Sequence, residues 1–303
     1  MKLKRFFALC AIPCMTLWIS ACSLFSTAPD YPAFFPAEWK KMQCRSHFFR
    51  EIAPGVTYYY WHFDDFEGLG KPVSMHLIHA DWDKTEYRVS LKVMAQKDNT
   101  AVKLPELAGA RSADLLAAIN GCYFDPRNGN QPQFTLKADG RVINGASSAT
   151  CALVANGNDL PEIVPFTEKT LKNFENVIQG HRLAENGSSI FSHSTGGSAP
   201  YSAVGVDRHN RMVYFLAVDG YHEPKVAPGV GFSDVTKFLL LLGAKDVMSL
   251  SSDNWTTLVV RNGDKNAPEV VNYPSGNRKF DHEGAAPLSN GIGLFLLPEQ
   301  EKK

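Results

Sequence analysis

Four short stretches place polar or small residues where apolar runs stop: Asn120-Gly121-Cys122-Tyr123-Phe124-Asp125, Tyr201 to Asp207, Asp219-Gly220-Tyr221, and Leu250 to Thr257. An apolar strand that ends on Asn-Gly or Asp-Gly carries a polar side chain to a sheet edge, and glycine there lets a backbone approach a ligand closely. Carboxylates and polar donors collected at strand ends are the groups that proton-transfer chemistry uses. Each stretch alone reads as a turn. Their order and spacing carry more information.

Several familiar signatures are absent: G-x-G-x-x-G, G-x-x-x-x-G-K-[ST], H-E-x-x-H and G-x-S-x-G. The nine histidines are scattered. His76 and His79 lie three apart in a strand-like run, so they point to opposite faces and do not form a metal pair. Asp64, Asp65 and Glu67 before Gly68 read as a solvated acidic loop, with a cation site as the lesser alternative. No metal site is expected.

The elements that must position these stretches are mostly short strands. Gly55 to His62, Val73 to His79 and Tyr87 to Val93 alternate or run apolar between turn residues. Pro105 to Leu116 reads as a helix, followed by a buried strand over Ala117 to Ile119. Asp139-Gly140 and Asn262-Gly263 are hairpin signals. Ala203 to Val206 and Met212 to Val218 pair as strands. Ser233 to Leu242 is a helix with Ser233 capping its first turn and Gly243 ending it. Val247 to Leu250, Thr257 to Val260 and Ile292 to Leu297 complete the strands. The expected class is α+β: a mixed β-sheet core flanked by a few helices, in a single domain over 39–300.

The start of the chain reads as an export signal. Lys2, Lys4 and Arg5 precede an apolar run from Phe6 to Ile19. That run is shorter than the ~20 residues a membrane span needs. Ile19-Ser20-Ala21-Cys22 resembles the cleavage box of bacterial lipoproteins. It implies a leader over 1–21, acyl chains on Cys22, and a tether over 22–38. Ser23 after the cysteine fits outer-membrane sorting in the cell envelope. Cys44, Cys122 and Cys151 remain, allowing one disulfide whose pair the sequence does not choose. Lys+Arg and Asp+Glu both number 31. That balance argues against a nucleic-acid partner.

Taken together, the polar stretches resemble the phosphodiester glycosidase family, from about Gly55 to Leu297. Ala117 to Phe124 is similar to its A-x-N-G-G-[FY]-F element, and Gln179-Gly180 through Leu183 and Gly187 to G-x-x-L-x-x-x-G. Ser202-Ala203-Val204-Gly205 resembles the end of R-T-A-[IV]-G, and Val218-Asp219-Gly220 resembles V-D-G-R. Leu241 to Val247 resembles L-G-A-x-D-A. Ser289-Asn290-Gly291-Ile292 is similar to the element before the last strand. The resemblance implies hydrolysis between a sugar's anomeric carbon and a phosphodiester, with a carbohydrate or glycosyl phosphodiester as ligand. It implies Asp219 and Asn120 as catalytic candidates, with Asp253 a substitute acid. Gly121, Phe124, Tyr201, Gly220, Tyr221, Asn254, Trp255 and Thr256 are the candidate substrate contacts.

The sequence departs from that pattern at telling places. The two family arginines fall on Tyr201 and Tyr221, and the second glycine of N-G-G falls on Cys122. L-D-G-G-G-S-T falls on Leu250-Ser251-Ser252-Asp253-Asn254-Trp255-Thr256. The arginines are natural phosphate clamps. Three readings follow: a lipid-anchored hydrolase of a glycosyl phosphodiester or related envelope glycan; an inactive descendant whose tyrosines and tryptophan bind a glycan or a protein; or a structural envelope protein without a ligand.

Overall fold

The computed structural model describes residues 31–297 apart from 67, 87, 110–113, 145–148, 196 and 264–266. The leader, Cys22 and most of the tether lie outside those residues, as does Glu67 of the acidic loop. No helix among the described residues is long and apolar enough to cross a membrane.

The largest sheet runs in the order Cys44–Ala53, Val56–Phe63, Val73–Asp81, Met212–Val218, Tyr201–Asp207, Asp246–Ser249, Arg182–Glu185, Ser188–Ser189. A five-stranded sheet of Ala267–Val270, Leu258–Asn262, Leu115–Asn120, Asn290–Leu296 and Val89–Ala95 faces it. Another orders Glu162–Pro165, Cys151–Ala155, Asn176–Gly180, Leu136–Ala138 and Arg141–Asn144. The α+β class holds, but the mixed pairing expected from the sequence does not. Pairing in all three sheets is antiparallel among the described residues. Parallel neighbours need long crossovers, usually helical. The described residues have few helices to make them: Leu104–Gly109, Glu168–Asn173 and Phe232–Leu241, with short 3-10 turns besides.

Met212–Val218 shows why an unbroken apolar run forms a central strand here. Val213, Phe215 and Ala217 enter the core between the sheets, while Tyr214, Leu216 and Val218 enter a second core under the helix Phe232–Leu241. Side chains alternate between faces, and both faces are covered. The second core is rich in aromatic rings. Trp39 meets Phe66 at 4.6 Å and Phe238 at 5.9 Å, and Phe35 meets Trp61 at 4.7 Å. Phe35, expected in the tether, is therefore a core residue, and the folded part starts earlier than Trp39.

Two helix expectations need correction. Leu104–Gly109 is helical, but Leu115–Asn120 is a strand, held by Leu258–Asn262 on one side and Asn290–Leu296 on the other. Sheet pairing overrides a helical pattern there. The later helix is capped by Gly231, whose N–H is accepted by Asp234 Oδ2 at 2.9 Å, and Ser233 lies inside the helix. The hairpin signal at Asp139-Gly140 holds, with both residues at positive φ, 43° and 80°. Cys44, Cys122 and Cys151 are free thiols.

Candidate functional site

The four polar stretches meet at one end of the sheets. Tyr201 pairs with Val218, Ala203 with Ser249, and Gly291 with Asn120, so the starts of two strands and the ends of three converge. Asn120 joins the two large sheets there. Its Nδ2 donates to Ser251 O at 2.6 Å and Ser251 Oγ at 2.8 Å. Its Oδ1 accepts the Ser202 hydroxyl at 2.7 Å and the Thr257 N–H at 3.0 Å. The residue is 0% exposed and its hydrogen-bonding capacity is filled. It positions the site rather than touching a ligand.

Asp219 is sealed in the same way, at 1% exposure. Oδ2 accepts from Ser74 Oγ at 2.5 Å and His76 Nε2 at 2.8 Å. Oδ1 accepts the Tyr273 N–H at 2.8 Å and Asn272 Nδ2 at 3.2 Å. Burial alone would push its carboxyl up. The facing His76 ring, the Ser74 hydroxyl and the Tyr273 N–H outweigh that and hold it below the ordinary value of 3.8. Asn272 also donates to Thr256 O at 3.1 Å, tying Asp219 to the 251–256 loop.

The glycines are small because protein, not ligand, lies against them. A Cβ on Gly121 would stand 2.0 Å from Asn290 Oδ1, and one on Gly220 would stand 2.3 Å from Pro200 N. Asn290 uses that closeness to accept the Cys122 N–H at 2.7 Å. Phe124 and Trp255 pack on each other at 5.0 Å, against the apolar cluster beside the helix Leu104–Gly109. Phe124 is buried there, while Trp255 stays half-buried. Thr256 is buried, and its Oγ1 has no hydrogen-bond partner.

What stays accessible is a ring of tyrosines around Asp253. The Tyr221 hydroxyl donates to Asp253 Oδ1, and Tyr221 is 50% exposed. That hydrogen bond, then burial, pushes the Tyr221 phenol up to about 12. Tyr123 and Tyr201 are raised chiefly by burial, then by neighbours that include Asp253. The neighbouring Ser252 side chain opposes part of that rise at Tyr123. Asp253 (φ 61°) and Tyr221 (φ 61°) both occupy left-handed backbone. Asp253 stands where the family pattern has glycine, and its backbone is of the kind that glycine adopts most readily. Beside this pair a hollow of ≈440 Å³ is lined by Tyr221, Asn254, Ser275, Gly276 and Arg278. Ser275 Oγ donates to Asn254 Oδ1 at 2.9 Å, bridging the hollow's two loops.

Tyr221 and Asn254 thus line the hollow, with Asp253 joined to it through the Tyr221 hydroxyl and Tyr201 near Asp253. Asn120, Gly121, Phe124, Asp219, Gly220 and Thr256 are buried in the packing around it, and Trp255 is half-buried against Phe124. Sequence reasoning missed Ser74, His76, Asn272, Tyr273 and Arg278, which no motif marks. Tyr123 stood in plain view within the N-G-C-Y-F element. In the acidic loop, Asp64 pairs with Arg45 and Asp65 accepts the Gly70 N–H at 2.8 Å. The described residues contain no group of three or more His, Cys, Asp or Glu placed to hold a metal.

Comparison with known proteins agrees with this geometry. The sequence profile NAGPA, phosphodiester glycosidase, matches residues 113–295. No curated protein matches the chain. Among solved structures, the fold is similar to the zebrafish N-acetylglucosamine-1-phosphodiester alpha-N-acetylglucosaminidase catalytic domain auto-inhibited by its pro-peptide. The TM-score is 0.60 at 17% identity, over 84% of this chain and 89% of that one. A hypothetical protein from Synechocystis gives 0.59 at 14% identity, over 80% of this chain; the chain spans 62% of that protein's length. A protein from Burkholderia pseudomallei gives 0.58 at 11% identity, over 89% and 99%.

Proposed function

The chain belongs to the phosphodiester glycosidase family, and on that premise we propose that it cleaves a glycosyl-1-phosphodiester at the hollow beside Asp253. The observation that carries this is the Asp253 carboxylate, set in a left-handed backbone position and oriented by the Tyr221 hydroxyl. In the proposed step Asp253 takes a proton from water. The oxygen bonds to the anomeric carbon as the C–O bond to phosphate breaks, and the electron pair leaves on the phosphate. A phosphomonoester whose second pKa is about 6 leaves without much protonation, so one carboxylate is sufficient.

Arg278 supplies the cation. Its side chain has no hydrogen bond or ion pair among the described residues, and it lines the hollow with Tyr221 and Asn254. It shares the hollow with Tyr221, one of the two positions where the family pattern has arginine, and would do the work of that guanidinium. The remaining assignments belong to the same proposal: export, cleavage before Cys22, lipidation there, and residence in the bacterial envelope, in the outer membrane.

A second reading, an inactive glycan- or protein-binding descendant, is favoured by the sealing of Asn120 and Asp219 and by the exposed Tyr221 and half-buried Tyr123 and Tyr201 around Asp253. One assay separates the two. The full chain in detergent is incubated with N-acetylglucosamine 1-(methyl phosphate), and free sugar is measured. Release that disappears in Asp253→Asn supports hydrolysis. Saturable binding without release supports the descendant.

A further inference from the structure

A second cavity shares no lining residue with the Asp253 hollow, and none of its lining residues belongs to the family motifs. The strand register builds it. Phe48 pairs with Tyr60, Arg50 with Tyr58, and Tyr60 in turn with His76, so alternate residues of three neighbouring strands form one patch on one face. Across from this patch lie Glu269 to Val271, Tyr273 and His282, and the two walls enclose ≈350 Å³. That volume is near the lower end for small-molecule sites, fitting one or two small rings rather than a long chain.

The cavity's chemistry is polar but balanced. Arg50 Nη2 meets Glu269 Oε1 at 2.7 Å, joining the two sheets at the cavity, and both side chains are about one-third exposed (33% and 34%). The guanidinium is therefore already neutralised, and its Nε–H has no partner. The Tyr58 hydroxyl sits 2.8 Å from His76 Nδ1, and His76 Nε2 sits 2.8 Å from Asp219, a hydrogen-bonded chain running from the cavity into the protein. Tyr60 has one ring face on His76, at 4.7 Å, and Phe48 is 49% exposed.

We infer that this cavity binds a neutral pyranose. Aromatic surface suits the apolar face of a sugar ring. The Arg50–Glu269 pair presents a donor and an acceptor side by side, the match for neighbouring hydroxyls. A phosphate is the wrong ligand, because the available cation already has its anion. The inference does not depend on hydrolysis at Asp253; failure of the turnover assay leaves it standing.

The test uses the full chain in detergent and saturation-transfer NMR with N-acetylglucosamine, methyl α-glucopyranoside, cellobiose, chitobiose and inorganic phosphate. At least one sugar binds in the millimolar range, with transfer to its ring C–H protons. Tyr60→Ala and Glu269→Gln each weaken it about tenfold, and Asp253→Asn leaves it unchanged. Circular dichroism checks that each variant is folded, and Phe48→Ser replaces Tyr60→Ala if that protein fails to fold. The inference is overturned if no sugar binds, or if binding survives the cavity variants. Loss in Asp253→Asn, or displacement of the sugar by phosphate, overturns it equally.

Discussion

The Tyr221 hydroxyl donates to the Asp253 carboxylate, and both residues hold left-handed backbone, at φ 61° each. A non-glycine residue in that region carries about 1 kcal/mol or more of strain. Two such residues joined by one hydrogen bond stand at positions where the sequence departs from the family pattern.

Asp253→Gly restores the residue type the backbone prefers. We expect it to leave stability unchanged or raise it by up to about 1 kcal/mol, while removing sugar release from the phosphodiester. Asp253→Asn removes turnover without relieving strain. Denaturant unfolding beside the release assay checks both. A glycine variant that still turns over substrate would remove Asp253 from the mechanism.

Arg278 (φ 59°) follows a short 3-10 turn and faces the hollow without a partner among the described residues. Arg278→Gln should raise KM for the sugar phosphodiester about 10–100-fold, the size of a lost charge-assisted contact to phosphate. Raising ionic strength should weaken the wild type towards the variant. Equal KM values in low salt would place the phosphate elsewhere.

Asn120→Ala removes a side chain that serves Ser251, Ser202 and the Thr257 N–H inside a fully buried junction. The expected loss is about 2–4 kcal/mol of stability, because the orphaned partners cannot reach water. Thermal unfolding measures it. A stable Asn120→Ala protein lacking turnover would instead give Asn120 a direct part in the chemistry.

His79 stacks on Phe34 at 4.2 Å, and burial lowers its pKa from 6.5 to about 4. Between those two pH values the unfolded chain binds the proton and the folded chain does not. Stability therefore rises with pH across this window and is lost on acidification through it. His79→Phe should remove that slope, worth about 2–3 kcal/mol from pH 6.5 down to 4. Urea midpoints read at intervals across the window measure it. An unchanged slope would mean that His79 titrates normally in the fold.

Much of the scaffold was legible in the sequence. Met212–Val218 and the Asp139-Gly140 hairpin follow from period and turn chemistry, and the motif order placed the site at one end of the sheets. Other features were not legible. Asp219 is held by Ser74 and His76, 145 and 143 residues away, and no local pattern reports such contacts. Trp255 looks like a free sugar platform in a polar loop, and its contact with Phe124, 131 residues away in sequence, is not visible there. Cys44–Ala53 was missed because it is the outermost strand of its sheet, largely exposed and without a clean apolar alternation. Phe35 looked like part of a tether because three of its aromatic partners, Trp39, Trp61 and Phe63, lie beyond the segment itself.

Asp219 ties Ser74, His76, Asn272 and Tyr273 together, and through His76 it reaches the wall of the sugar cavity. An alanine there would be an ambiguous witness. Lost turnover in such a mutant would mix loosened loops, a freed imidazole and an altered second chamber with any effect on bond cleavage. Genetic inactivation is better aimed at Asp253 and Arg278, whose side chains support far less of the surrounding architecture.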